Sequence, residues 1–194
     1  MSESATDRRL ETALRIADHA QVLTDERGLD GFTMDDLATA AGVSRRTLFN
    51  YFPGKLDAVL GPWPELGDAQ LEEFRAGGPH GDLVDDLRAL IRMLMDTKGV
   101  ERERLTRFRR MLTANPRLKL AVHEKYEAMS ARIVEEIIRR EGETFDVRRA
   151  RIAVNLLAAL FDIGLDEYVD DPSGRPIGTH VDDAIATARS LLGA

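Results

Sequence analysis

The chain has 194 residues, 43% of them hydrophobic and 31% charged, which suits one large globular domain or two small ones and excludes a disordered chain. It has no cysteine, so disulfides, thiolate metal sites and cysteine nucleophiles are excluded. No run approaches the ~18 apolar residues of a membrane span, and residues 1–10 hold no apolar signal core, so a cytoplasmic protein is expected. The net charge of −7 argues at first sight against nucleic acid, although the distribution of charge matters more than its sum.

Apolar residues recur at three- and four-residue spacing between clusters of Gly and Pro, which predicts helices throughout. A first helix spans 8–26, with Leu10, Ala13, Leu14, Ala17 and Ala20 on one face and Gly28 as its left-handed stop. Thr33 is the N-cap of a short helix over 34–41, with Asp36 completing a capping box. Gly42 breaks that helix, and Ser44 caps another over about 45–51. A helical stretch over 55–75 must kink or split at Gly61, Pro62 and Pro64, because proline lacks the N–H and clashes with the preceding turn. Residues 77–81 form a loop, and helices follow at 82–97, 100–113, 116–140, 145–169 and 179–192, separated by loops at Gly142 and at 170–178. No segment alternates at period two, so the expected fold is all-α, with about nine helices.

Two short helices joined by Ala41-Gly42-Val43-Ser44 form a helix-turn-helix pattern. The second places Leu48 and Phe52 on a side that can be buried. Arg45, Arg46, Thr47, Asn50 and Tyr51 point elsewhere, and these donor-rich side chains are the kind that reads base edges or grips phosphates. Residues 44–55 contain Arg45, Arg46 and Lys55 and no acid, whereas residues 1–60 as a whole hold seven basic and ten acidic residues.

The stretch from Glu26 to Ala38, the turn Ala41-Gly42-Val43-Ser44, the run Thr47-Leu48-Phe49-Asn50-Tyr51-Phe52-Pro53 and Lys55 together resemble the TetR family of transcriptional regulators. Phe49 stands where that family often has tyrosine. The resemblance implies a three-helix DNA-binding domain over 1–54 and a helical effector-binding and dimerisation domain over 55–194. It implies phosphate contacts by Thr33, Thr47, Tyr51 and Lys55, with Arg45, Arg46 and Asn50 nearest the bases. Thr33 and Ser44 each either touch DNA or serve only as caps, and for Ser44 the cap alone is the favoured reading. The implied activity is that of a ligand-responsive regulator, a repressor released from a palindromic operator by a small molecule.

Dimerisation follows from geometry, since two recognition helices must reach successive major grooves about 34 Å apart. The family pattern assigns the homodimer interface to 145–169, carrying Ile152, Leu156, Ala159, Leu160 and Ile163, and to 179–192, carrying Val181, Ala184, Ile185, Ala188 and Leu192. A tentative effector pocket is lined by Leu94, Arg104, Phe108, Met111, Tyr126 and Met129, with core packing as the alternative for each. On the helical wheel Arg104 falls within the apolar arc of Leu105, Phe108, Met111 and Leu112. An inward arginine needs an anionic partner. That partner is either an internal carboxylate, such as Asp162 or Asp166, or an anionic effector such as an acyl-CoA.

An enzyme is the main rival class. The sequence has no Gly-rich phosphate loop, no nucleophile elbow and no His-x-x-x-His pair, and its histidines at 19, 80, 123 and 180 are scattered. Glu135-Glu136 and Asp182-Asp183 read as solvated faces rather than paired acids. No cofactor or metal is expected. The other rival is a helical interaction module that keeps the helix-turn-helix without binding an operator.

Overall fold

The computed structural model describes residues 3–95, 102–142 and 144–193. Its ten helices among the described residues are α1 (Glu3–Arg27), α2 (Met34–Ala40), α3 (Arg45–Tyr51), α4 (Lys55–Leu60), α5 (Asp68–Arg75), α6 (Leu83–Met95), α7 (Arg102–Ala114), α8 (Pro116–Glu141), α9 (Val147–Asp170) and α10 (Ile177–Leu192). No strand occurs among them. The tenth helix comes from 55–75, which splits rather than kinks: α4 stops at Gly61 (φ 77°), and the helix resumes only at Asp68. Left-handed Gly61 ends the helical hydrogen bonding, and Pro62 and Pro64 cannot restart it. The ends expected at 96–97 and 100–101 lie outside the described residues.

The helices form two compact units. The first comprises residues 1–63 and 103–124, and so joins α1–α4 to α7 and the start of α8. Its core is built on α1, whose Ile16, Ala20 and Leu23 are buried together with Leu29, Phe32, Leu37, Leu48, Phe52, Val59, Met111 and Leu118. Leu10 and Leu14 are only half-buried, so the buried face of α1 is rotated from the expected one toward Ile16 and Leu23. Polar ties complement this apolar packing. Gln21 Nε2 donates to the Val59 carbonyl at 3.1 Å, and Arg15 Nη1 donates to the Ala41 carbonyl at 2.5 Å, satisfying an end of α2 that has lost its intrahelical donor.

The second unit comprises residues 64–102 and 125–194. Phe74, Leu87, Leu90, Ile137, Leu157, Val181 and Ile185 lie in its core. Gly164 lets α9 meet α10 closely, since a Cβ there would lie 2.7 Å from both Cα and N of Val181. The same core holds charge. Arg140 and Asp86, 5% and 0% exposed, pair at 2.6 Å, and the Arg140 guanidinium stacks 4.8 Å from the Phe74 ring centroid. Glu136, read above as part of a solvated face, is buried on α8 and takes two hydrogen bonds from Arg75, at 2.5 and 3.0 Å. The arginine hydrogen bonds hold its carboxyl below the usual glutamate range, against the opposing effect of burial. Asp182 is likewise no solvated acid, since it accepts from Arg88 at 2.8 Å and pairs with Arg92.

Candidate nucleic-acid interface

The site begins with two caps. Thr33 precedes α2 in extended conformation, its Oγ1 accepts from Asp36 N–H at 3.1 Å, and the Asp36 carboxylate accepts from Thr33 N–H at 2.8 Å. These hydrogen bonds hold the Asp36 carboxyl below its ordinary value. Ser44 caps α3 by accepting from Thr47 N–H at 3.0 Å, and the two hydroxyls lie 2.8 Å apart. Between the caps, Gly42 takes φ 63°, a left-handed turn that a side chain would strain, and Val43 packs on the core. Leu48 and Phe52 are buried, at 0% and 4% exposure, and they anchor α3 against the unit.

Anchoring that side turns the rest of α3 outward. Arg45, Arg46, Phe49 and Asn50 are exposed, and Thr47 and Tyr51 are half-buried. Arg45 pairs with Asp35 at 2.8 Å, and its guanidinium lies 5.6 Å from the Phe49 ring centroid. Tyr51 packs on the core, with the Arg9 guanidinium 5.3 Å from its ring centroid. Lys55, the first residue of α4, turns back into the fold. Its Nζ donates to the Leu29 carbonyl at 2.7 Å and the Phe32 carbonyl at 2.5 Å, and sits 4.7 Å from the Phe32 ring centroid. The ammonium thus locks the loop leading into Thr33, a role that no local sequence signal marks.

Thr33, Ser44, Arg45, Arg46, Thr47, Asn50, Tyr51 and Lys55 all lie in the first unit. Sequence reasoning missed Asp35 and Arg9. Asp35 stands ten residues before its partner, across a turn, a separation with no sequence signature.

A family model described as "Bacterial regulatory proteins, tetR family" matches residues 15–59, the segment that carries these caps and α3. That segment is similar to the DNA-binding part of TetR-family regulators. A curated relative, the mycofactocin biosynthesis transcriptional regulator MftR of Mycobacterium tuberculosis, is 27% identical over 191 residues, covering 96% of this chain and 92% of its own. A crystal structure of a TetR-family transcriptional regulator from Mesorhizobium loti matches the fold with a TM-score of 0.50 at 23% identity, over 95% of this chain and 98% of that one. A crystal structure of Thermus thermophilus FadR with lauroyl-CoA gives a TM-score of 0.49 at 26% identity, over 89% and 90% of the two chains. The matched segment and the full-length similarity to a transcriptional regulator support a DNA-binding transcriptional regulator.

The residues expected to line an effector pocket fall in different units. Arg104, Phe108 and Met111 belong to the first, and Leu94, Tyr126 and Met129 to the second. Met111 is buried in the first core, with Phe108 packed against it. Arg104 pairs with Asp18 of α1 at 2.7 Å, so its carboxylate partner is neither Asp162 nor Asp166. Tyr126 donates its hydroxyl to Asn155 at 3.0 Å.

The expected interface residues also divide. Leu160, Val181, Ala184 and Ile185 are buried within the second unit's own core. Ile152, Leu156 and Ile163 are exposed, at 55%, 43% and 48%. The wheel separates the two sets, because α9 buries Val154, Leu157 and Leu160 on the opposite side. Among the described residues no helix is long and apolar enough to cross a membrane, and no cluster of three metal-ligating side chains occurs.

Proposed function

We propose that this regulator is a homodimeric repressor that places two copies of α3 in successive major grooves of a palindromic operator and releases it when a small molecule binds. The observation that carries the reading is the outward face of α3. It presents Arg45, Arg46 and Asn50 to solvent, with no acid anywhere in 44–55. In this reading residues 1–54 bind DNA and residues 55–194 sense and pair. Arg45, Arg46 and Asn50 face base edges, Thr33, Thr47, Tyr51 and Lys55 grip phosphates, and Ser44 holds the helix start.

The dimer is supported by Ile152, Leu156, Ala159 and Ile163, which recur on α9 at spacings of four, three and four and remain exposed in a single copy. An exposed apolar stripe of that period is what a partner helix covers. Release needs an effector that binds the non-operator state more tightly, and a coupling of about 1–3 kcal/mol is typical. An anionic class such as acyl-CoA thioesters belongs in the ligand screen for one reason. Arg104 keeps its Nη1 buried without a hydrogen-bond partner among the described residues, although Nη2 is paired.

The test is selection of genomic DNA fragments by the purified full chain, with its mass measured on and off DNA. A two-fold-symmetric site bound by an even number of chains is expected. Enrichment of no symmetric sequence, or binding as a single chain, overturns the proposal.

A further inference from the structure

We infer that Asp35 is a specificity-determining positioning residue: from α2, its carboxylate fixes the Arg45 guanidinium on the DNA-reading face of α3. The inference rests on the reading of α3 given above. Arg45 is held on two sides. Its Nη1 donates to Asp35 Oδ2 at 2.8 Å, and the guanidinium lies 5.6 Å from the ring centroid of Phe49, one turn along its own helix. All three groups face solvent, with the side chains of Arg45 and Asp35 67% and 61% exposed and Phe49 42% exposed.

Neither support is needed by the core. Asp36 rather than Asp35 makes the capping box with Thr33, and Leu48 and Phe52 anchor α3. Each support also carries a cost, since an exposed acid beside a phosphate backbone repels it and an exposed phenylalanine gains little from burial. What the two do together is order a long side chain before it meets DNA. Arginine otherwise loses much rotamer freedom on binding, and ordering it in advance lowers that loss. One guanidinium nitrogen meets the carboxylate, and the remaining donors of the planar fork stay available for a guanine edge. Arg46, next in sequence, makes no ion pair among the described residues. The two adjacent arginines are therefore prepared differently, and only Arg45 is under the control of α2.

The experiment measures binding of the full chain to its selected operator and to a random-sequence duplex, for Asp35→Ala, Asp35→Asn, Arg45→Ala and the double variant Asp35→Ala/Arg45→Ala. Melting midpoints confirm that each is folded. Arg45→Ala tests the parent reading: if it leaves the operator-to-random ratio unchanged, the base-reading role of α3 fails and this inference fails with it. If Arg45→Ala lowers the ratio, Asp35→Ala and Asp35→Asn are expected to tighten random-duplex binding while lowering the ratio, by up to about fivefold per half-site, the upper range for an exposed ion pair. The loss should fall on the base pair read by Arg45 and spare the one read by Arg46. In the Arg45→Ala background, removing Asp35 should tighten both duplexes equally and leave the ratio alone. Equal tightening of both duplexes with Arg45 present overturns the inference, because Asp35 is then only a negative charge near DNA.

Discussion

Gly164→Ala sets two rules against each other. In the middle of a helix this change ordinarily gains about 1 kcal/mol, because alanine gives up less backbone freedom than glycine. Here the added Cβ would sit 2.7 Å from Cα and N of Val181 and 2.8 Å from its Cγ2. Two of those atoms are backbone, so no rotamer change clears them and α10 must shift. Overpacking of this kind costs about 1–3 kcal/mol. Subtracting the propensity gain leaves a net loss of up to about 2 kcal/mol. With a urea slope of ~2 kcal/mol/M, the midpoint should fall by up to ~1 M. The assay is urea unfolding at fixed protein concentration, since any subunit association makes stability concentration-dependent. Gly178→Ala is the paired control. It lies in α10 with nothing within 4 Å of its would-be Cβ, so its midpoint should rise. Adding Val181→Ala to Gly164→Ala should not restore stability, because the backbone clash remains. A midpoint that rises for Gly164→Ala as it does for Gly178→Ala would refute the close approach of α9 and α10.

Three further outcomes are expected. Asp86→Ala should cost about 1–3 kcal/mol in urea unfolding, less than the ~3–5 kcal/mol of a fully stranded buried charge, because Arg140, 5% exposed, loses its buried carboxylate but keeps Glu141 at 3.0 Å; a loss below about 0.5 kcal/mol would mean that Arg140 escapes to solvent. Lys55→Ala should lower stability by about 1–3 kcal/mol through loss of its charged hydrogen bonds to the Leu29 and Phe32 carbonyls. It should also weaken DNA binding uniformly across sequences and make the salt slope shallower by about one per subunit, whereas an unchanged slope would confine Lys55 to holding the loop. Ile152→Glu/Ile163→Glu should leave each subunit folded, since both side chains are about half exposed, but halve the mass in solution and abolish operator binding; an unchanged mass would remove α9 from the interface.

The fold was legible wherever local chemistry decides it. Thr33 and Asp36, Ser44 and Thr47, and Gly28 and Gly42 act within a few residues of themselves, and the helix bounds they set match the structure closely. The periodicity of 145–169 was legible too, but not which apolar residues face inward. Ile152 and Leu157 look alike in sequence, and only the position of α10 distinguishes them. The partners of the charged residues were the least legible. Glu136 reads as half of a solvated acidic pair, yet it is buried because Arg75, 61 residues away, reaches it. Arg104 points inward as its wheel position requires, but Asp18 lies 86 residues off, and no spacing rule reaches that far.

The same long-range pairing alters the meaning of the chain's acidity. Residues 1–63 hold seven bases and ten acids, a poor balance for a DNA-binding unit. Folding adds residues 103–124 to that unit, with six bases and two acids, so the first unit reaches a net charge of +1 and the second carries −8. The added bases go to particular acids. Arg104 pairs with Asp18, Arg110 with Asp25 and Arg117 with Asp30, each carboxylate on α1 or the loop after it. Within α2, Asp35 is taken by Arg45 and Asp36 by the cap. The acids nearest the recognition helix are thus already engaged. Surface pairs of this kind add little stability, so their consequence lies in the field: they weaken the long-range repulsion that an acidic N-terminal segment would exert on a phosphate backbone. An overall charge of −7 and a DNA-binding unit are compatible because α7 and the start of α8 carry the bases that α1 and α2 lack.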